Sequence, residues 1–563
     1  MKKLIECVPN FSEGVDMGVI EKITQEIENV EGVKLLDVDP GKATNRTVVT
    51  FVGTPDEVVE AAFQAVKRAS ELIDMRKHQG AHPRMGATDV CPLVPVSNIA
   101  MDEVVEYAHK LAKRIGEELG ISVYCYENAA LKPERKNLAN CRSGEYEGMA
   151  EKVTTPEWKP DFGPDKLNAA AGVTAVGARD FLVAYNINLN TTSTRRANAV
   201  AFDVREKGRV KRQGNPLTGK IVKDEKGDPV HIPGTLKEVK AIGWFIEEYG
   251  IAQISMNLTN ISVTPVHKAF DEVSDKANKR GLRVTGSELV GLVPLKAMLD
   301  AGKYFLAKQK RSLGVSESEL IKIAVKSMGL DELKPFNPKE KIIEYMIADA
   351  DDKQLANMSI EQFADETASE SPAPGGGSVS AYVGALGVSL GTMVANLSSH
   401  KRGWDDHWEE YSKWAEKGQA LKEELLFLVD EDTRSFNHIM EAFKLPKKTE
   451  ADKKARQQAI QAATKYAIEV PFRVMKTAYA SMEVMEVMAE KGLQSSASDA
   501  AVGALCARMA IRGAFLNVKI NAADLEDKAF YEKIHKEGLE LEEMAIKKEE
   551  TIVRMVEKTI AES

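Results

Sequence analysis

Residues Gly32 to Asp74 read "GVKLLDVDPGKATNRTVVTFVGTPDEVVEAAFQAVKRASELID". Two β-branched runs, "GVKLLDVDP" and "NRTVVTFVG", flank a Gly/Pro turn and predict neighbouring strands. Pro55 then opens a segment whose apolar residues recur at helical spacing. Working outward, "LIECVPN" is a short strand and "MGVIEKITQEIENV" a helix before this stretch, and "TDVCPLVPV" is a strand after it. The order is β-α-β-β-α-β, the ferredoxin-like pattern. A further helix and the strand "SVYCYEN" extend it.

From Phe181 the pattern starts again. "FLVAYNINL" is a strand, and "TTSTRRANAVAFDVREKG" a helix opening on Thr/Ser caps. "EVKAIGWFIEEYG" and "AQISMNLT" are adjacent strands, a helix closes at Gly281, and "LRVTGSE" ends the unit. The charged, Gly/Pro-punctuated insertion Lys207–Thr235 predicts an exposed hairpin. From Gln354 onward nearly everything has helical periodicity, rich in alanine and methionine. The expected fold is therefore α/β plus all-α: two ferredoxin-like subdomains, 1–180 and 181–330, a linker at 331–353, and a helical bundle at 354–563. At 563 residues the chain is too long for a single core.

Composition narrows the function classes. Net charge is −9 and no Lys/Arg-rich run occurs, which argues against nucleic acid. Five scattered cysteines form no CxxC, so neither a zinc knuckle nor a disulfide framework is expected. The apolar run at the N-terminus is too short for a signal peptide, and a cytoplasmic location is the expectation. "SPAPGGGSVSAYVGALGVSLGTMVANLSS" carries no charge, but its Gly, Ser and Ala content suits a helix buried in a bundle better than a membrane span. Its "PGGGS" lacks the ending of a nucleotide P-loop, although a helix N-terminus of this kind can cradle an anion.

The segment "KHQGAHPRMGATDV", Lys77–Val90, holds His78 and His82 at the spacing of helical metal ligands. Gly80 between them and Pro83 after His82 disfavour a shared helical face, so no metal is expected. A catalytic base in a bent loop and a hydrogen-bonded turn residue both remain open on residue type alone.

Several motifs carry a resemblance. "ECVPNFSEG", "LLDVDPGKATNRTVVTFVG", "HPRMGATDVCPLVPV" and "GSELVGLVPLKAMLD" resemble the glutamate formiminotransferases. "SPAPGGGSVSAYVGALG", "LVDEDTRSFNHIM" and "AFLNVKIN" resemble formiminotetrahydrofolate cyclodeaminase. Their order, with a joint at "PFNPKEKIIEY", is similar to the fused bifunctional family and covers almost the whole chain. The resemblance implies a folate enzyme of histidine degradation. It would transfer a formimino group from N-formimino-L-glutamate to tetrahydrofolate, with polyglutamylated folate as the expected co-substrate, and then cyclise the product with loss of ammonia. It also implies a homo-oligomer, a dimer or a ring of dimers.

By residue, the resemblance places catalytic roles on His82 and Asp432, and folate binding on Gly163, Pro164, Asp165, Lys166, Leu167, Asn168, Ala169, Ala170, Ala171 and Gly172. The family's loop often has a carboxylate where this chain has Ala81, so that carboxylate's role cannot be carried over. Arg46 and Arg84 are candidates for the glutamate carboxylates, or for ordinary pairing with Asp39 or Asp89. Asn10, Asp39 and Asn188 sit near strand ends and are candidate pterin or substrate contacts. Segment 163–172 reads either as a linker or as a loop meeting the pterin between the two α/β units. In the helical half, Leu425, Leu428, Val429 and Phe436 form an apolar stripe that includes Asp432, with Asp430 and Glu431 expected in solvent. Gly375, Gly376, Gly377, Ser378, Asp499 and Asn517 are candidate lining for that second site. Competing readings make the helical half an oligomerisation scaffold or a methenyltetrahydrofolate cyclohydrolase.

Overall fold

The computed structural model describes residues 3–42, 45–80, 83–215, 218–347, 354–371 and 373–562. The chain divides into two compact units, one of Met1–Met298 with Val325–Ile347, the other of Leu299–Ala324 with Ala348–Ser563.

In the first unit, β1 (Leu4–Cys7) and β2 (Asn10–Phe11) are successive pieces of one N-terminal strand, interrupted at Pro9. Both lie between β4 (Arg46–Gly53) and β5 (Thr88–Ser97), with β3 (Val33–Gly41) outside β4. β7 (Val173–Ala178) and β6 (Ser122–Glu127) extend the sheet beyond β5 through parallel pairings. Alternation along the strands sends Ile5, Cys7, Val49, Phe51, Cys91 and Leu93 into one core. Helices α1 (Met17–Glu28), α2 (Pro55–Leu72) and α3 (Met101–Leu119) cover that face with Ile23, Val58, Ala62, Val104 and Ala108. On the opposite face Met85, Val90, Tyr124 and Tyr126 pack with Cys141 of α4 (Leu138–Arg142) and Met149 of α5 (Glu145–Lys152).

A second sheet follows. After β8 (Val183–Leu189) and α6 (Thr194–Val204), the charged insertion pairs β9 (Arg209–Val210) with β10 (His231–Ile232) as an antiparallel hairpin. Then come β11 (Val239–Ile246), β12 (Ile251–Leu258), α7 (Val266–Asn278) and β13 (Val284–Val290). The order β11-β12-β8-β13 is antiparallel throughout. The division between the two units falls inside α8 (Leu295–Lys308) and again inside α9 (Glu317–Met328). Short helices α10 (Pro338–Lys341), α11 (Ile343–Ile347) and α12 (Ile360–Thr367) follow.

The second unit is built on five long helices: α13 (Gly376–Ser399), α14 (Trp408–Lys444), α15 (Glu450–Lys491), α16 (Ala497–Asn521) and α17 (Lys528–Glu562). α13 and α16 touch backbone to backbone, since a Cβ on Gly387 would stand 2.7 Å from the Gly503 carbonyl oxygen. Gly376–Ser399 and Gln494–Asn521 are each long and apolar enough to cross a membrane, yet most of the apolar stretch of Gly376–Ser399 is buried in the bundle. Segment Leu299–Ala324 docks onto the same bundle: Ser412 Oγ accepts from Leu313 N at 2.9 Å, and Asn396 donates to the Gly314 carbonyl at 2.9 Å.

Candidate active sites

The first site lies where loops meet at one end of the large sheet. His82 and Ala81 fall outside the described residues, so the geometry on record is that of the loop on either side of them. Asn45, in left-handed backbone, donates to the Gln79 carbonyl at 2.8 Å and accepts from Gly14 N at 3.0 Å. Its own carbonyl lies 2.9 Å from His78 Nε2. Arg84 Nε donates to His78 Nδ1 at 3.3 Å, which leaves the ring proton on Nε2 for the Asn45 carbonyl. His78 is thereby a satisfied structural histidine. Among the described residues no cluster of three or more His, Cys, Asp or Glu is arranged to hold a metal.

Beyond Pro83 the loop is stitched into the sheet. Ser12 donates from its hydroxyl to the Gly86 carbonyl at 2.7 Å and from its amide to the Ala87 carbonyl at 2.8 Å. Ala87 N donates to the Ala171 carbonyl at 2.7 Å, and Val173 N to the Met85 carbonyl at 2.9 Å. The two backbones run so close that a Cβ on Gly86 would stand 2.2 Å from the Val173 oxygen. Gly172, at φ +74°, would meet the Met85 oxygen at 2.4 Å. Only glycine fits at either position.

Segment Gly163–Gly172 is seated on the first sheet and its loops. Pro164 accepts from Ser122 Oγ at 2.7 Å, Ala169 from Tyr146 Oη at 2.6 Å, and Ala170 from Met75 N at 2.9 Å. Asn168 caps the turn, accepting from Ala170 N and Ala171 N at 3.2 Å. Gly163, Pro164, Asp165 and Lys166 are exposed, while Ala171 and Gly172 are buried under the Met85–Ala87 loop. These partners all belong to the first half, because its backbone polar groups need the sheet end to satisfy them.

The weaker candidates separate clearly. Arg84 is committed: its guanidinium bonds Glu147 at 2.8 and 2.9 Å and Glu145 at 3.3 Å, so it braces α5 and has little left for a ligand. Asn188 is likewise committed, within the second sheet, to Gln253 at 2.8 Å and Glu332 at 2.6 Å. Asn10 is buried on β2; its amide donates to the Val8 carbonyl at 2.9 Å, and its Oδ1 is buried with no partner among the described residues. Asp39 is exposed on β3, beside Val48 of β4. Arg46 has a buried Nε with no partner among the described residues. Burial holds its guanidinium below the usual range, with Asp89 and Asp39 opposing that effect and Arg142 reinforcing it. Glu6, on the sheet face opposite Cys7, is buried and is pushed up to about 7, chiefly by burial; Arg179 opposes and Glu344 adds to the rise.

The second site is built from one helix start and one helix side. α13 begins at Gly376, and Ser378 N in its first turn donates to Asp432 Oδ2 at 2.9 Å. Ser378 Oγ reaches the same oxygen at 3.2 Å and the Val429 carbonyl at 2.8 Å. The anion at this helix N-terminus is thus the chain's own carboxylate. Burial raises the Asp432 pKa, and the two Ser378 hydrogen bonds pull against that rise. A Cβ on Gly377 would stand 2.2 Å from Asp432 Oδ1, so glycine is what lets the carboxylate lie against the helix. Asn517 approaches from α16, its Nδ2 3.2 Å from where a Gly376 Cβ would be. Gly375 is the N-cap of α13.

Three expectations here need correcting. Asp430 and Glu431 are buried: Asp430 accepts from Leu355 N at 2.8 Å and Ala356 N at 3.2 Å, and Glu431 binds Tyr466 Oη and Arg434. Neighbouring segments crowd α14 from several sides, so a single-stripe reading of its faces fails. Phe436, placed in the apolar stripe, is 40% exposed, while Leu425, Leu428 and Val429 are core. Asp499 opens α16 while Asn517 lies near its other end. At about 1.5 Å per residue they are about 27 Å apart, so Asp499 is not brought together with Asn517 and Asp432. Residue patterns gave no sign of Arg142 in "NCRSGEY" or of the role of Asn45, because both act through partners distant in sequence.

Two separate polar sites, one on α/β loops and one in a helical bundle, define a two-part enzyme. The formiminotransferase domain, N-terminal subdomain, matches residues 4–179, the formiminotransferase domain matches 184–348, and formiminotransferase-cyclodeaminase matches 359–540. The formimidoyltransferase-cyclodeaminase of Gallus gallus is 44% identical over 94% of each chain. The glutamate formimidoyltransferase of Streptococcus pyogenes serotype M1 is 44% identical, covering 54% of this chain and 94% of its own. The methenyltetrahydrofolate cyclohydrolase of Methylorubrum extorquens is 38% identical over 32% of this chain and 87% of its own. The chain belongs to the formimidoyltransferase-cyclodeaminase family.

Proposed function

We propose that the protein carries out two successive folate reactions of histidine degradation. The first moves the formimino group of N-formimino-L-glutamate to N5 of tetrahydrofolate and releases glutamate. The second closes N10 onto the imino carbon, expels ammonia and yields 5,10-methenyltetrahydrofolate. The observation that carries the reading is Asp432: a desolvated carboxylate steadied on one oxygen by Ser378.

In the first step an amine attacks an amidine carbon, so one nitrogen must lose a proton and the departing one must gain it. An imidazole serves both transfers near neutrality, and His82 is assigned that work. Its loop is the one held by Asn45, Ser12 and Ala171. The exposed turn Gly163–Lys166 and its continuation to Gly172 are assigned to the folate, with polyglutamylated tetrahydrofolate as co-substrate and no metal. In the second step Asp432 takes the N10 proton and delivers one to the leaving ammonia. A raised pKa suits a group that must be acid and base in one turnover.

The finer architecture follows the same reading. Strand order β11-β12-β8-β13, and β3-β4-β1-β5 in the first sheet, support two ferredoxin-like subdomains, with boundaries at 180, 330 and 353. A cytoplasmic homo-oligomer is part of the proposal. Leu386, Met393 and Leu397 on α13 and Val502, Leu505, Met509, Leu516 and Ile520 on α16 are exposed at intervals of three, four and seven, the spacing of a seam for a second copy.

The test is to follow the methenyl chromophore and ammonia together on mixing protein, tetrahydrofolate and formiminoglutamate. Wild type should give both, His82→Ala neither, and Asp432→Asn only the formimino intermediate. Likeness to the Methylorubrum cyclohydrolase favours a second reading, hydrolysis of the methenyl bridge. Supplying methenyltetrahydrofolate alone and looking for its loss separates the two.

A further inference from the structure

The first sheet carries a pair of arginines whose N–H donors are not all taken by the described residues. β2 pairs with β5 at Asn10↔Val90 and then at Phe11↔Thr88, so Asp89 is the extra residue of a bulge. A bulge breaks the alternation of side chains and re-aims the residue it inserts. The Asp89 carboxylate uses the freedom in two directions. Oδ1 accepts from Met85 N at 3.1 Å, in the loop that follows Pro83, and Oδ2 accepts from Arg142 Nη2 at 2.6 Å. Arg142, the last residue of α4, is thus pinned by one corner of its fork, and its Nε is buried with no partner among the described residues. Arg46, at the start of β4, makes no side-chain hydrogen bond or ion pair among the described residues, and its Nε is buried too. Its register neighbour across the sheet is Gly41, beside the loop that Asn45 ties to Gln79. Phe11 of β2 pairs with Thr47, next to Arg46, on one side and with Thr88, next to Asp89, on the other, so Arg46 and the Asp89–Arg142 pair flank the same short strand. The charges of Asp89, Arg142 and Asp39 act on Arg46.

Asp89 bonds only Arg142, and Asp89 and Asp39 act on Arg46 without bonding it, so the two half-buried cations keep N–H donors without partners among the described residues. Burying such groups unpaired is costly, so the arrangement is one that an arriving anion would complete. Planar forks of this kind match a carboxylate. We propose that Arg46 and Arg142 together bind one carboxylate of the glutamate moiety of the first substrate, with Asp89 as the positioning residue that ties this subsite to the Met85 loop. The proposal rests on the transferase reading given above. Arg84 has no part in it, being taken up by Glu145 and Glu147.

The test measures glutamate binding by calorimetry and KM for formiminoglutamate in the full-length protein, for wild type, Arg46→Gln, Arg142→Gln and Asp89→Asn. Each arginine variant should weaken glutamate and raise that KM by about 10- to 100-fold, with KM for tetrahydrofolate unchanged. The cyclisation rate on preformed 5-formiminotetrahydrofolate should also stay unchanged. Asp89→Asn should give part of the same KM rise, and adding it to Arg142→Gln should cost little more. Substrate analogues lacking either the α- or the γ-carboxylate identify which one is held: wild type should discriminate against one of them, and both arginine variants should lose that discrimination. Arg46→Gln removes no side-chain hydrogen bond among the described residues, so it remains informative if Arg142→Gln proves unstable. Binding and discrimination equal to wild type in both arginine variants would overturn the subsite. Wild type that binds neither glutamate nor formiminoglutamate would overturn the transferase reading itself.

Discussion

The two sites hold their charged groups by opposite means. In the α/β unit the loop around Pro83 is held by partners from Ser12, Asn45, Asp89, Ala171 and Val173, residues far apart in the chain that meet only at the sheet end. In the bundle, one serine in the first turn of α13 holds Asp432 of α14, and the glycine beside it leaves room for the carboxylate. The loop site has many weak restraints and, in Arg46, a guanidinium whose buried Nε has no partner among the described residues. The bundle site has few restraints, set by helix packing, and its carboxylate is already seated. Small substitutions should therefore damage the second site abruptly and the first by degrees.

The strongest break in that comparison is Asp432→Asn. Ammonia release should fall by about 10²- to 10⁴-fold while formimino transfer is kept, as single-turnover assays of each product would register. Equal loss of both activities would mean the sites are not separable. Next comes Gly377→Ala, whose Cβ would stand 2.2 Å from Asp432 Oδ1. Displacing the carboxylate should slow cyclisation by about 10²-fold with transfer intact; a normal rate would show that α13 shifts freely.

Acidity sharpens the contrast further. Glu6 is pushed up to about 7 in the folded protein from an ordinary 4.5, mainly by burial. The folded state then binds the proton more tightly than the unfolded one, so stability is greatest below about 4.5 and falls as pH rises to about 7. Urea unfolding of the wild type should lose on the order of 2–3 kcal/mol across that window from this group, and Glu6→Gln should flatten the slope. An unchanged slope would remove Glu6 from the account. Asp432 is raised in the same direction, so its contribution has the same sign, and cyclisation should gain rate as pH rises past its pKa if the carboxylate form starts the reaction.

The smallest effect belongs to Arg84→Gln. Glu145 and Glu147 are largely exposed, so the loss should be about 1 kcal/mol in thermal unfolding, with transfer reduced less than about 10-fold. A total loss of transfer with the fold intact would return Arg84 to the list of ligand contacts.

Much of the architecture was legible because period and punctuation are local. Strand runs, Pro55 at a helix start and the alanine-rich periodicity after Gln354 each predict an element that the structure contains. Asp432 was legible through its motif, and its surroundings half so: Leu425 and Val429 are core as expected, whereas Asp430 and Glu431 are buried because Leu355, Ala356, Tyr466 and Arg434 arrive from elsewhere. Arg46 and Arg84 looked alike in sequence. Only their partners distinguish them.

By itself the sequence determined the alternation of strands and helices, the change to a helical second half, and the motifs that mark the family. Those properties depend on neighbours within a few residues or on residue type. Tertiary structure decided which charges are spent and which are open: Arg84 on Glu147, Asn188 on Gln253, Asp432 on Ser378, Arg46 on none of the described residues. The cost of burying a charge depends on what lies within a few ångströms of it, and a linear chain does not carry that distance.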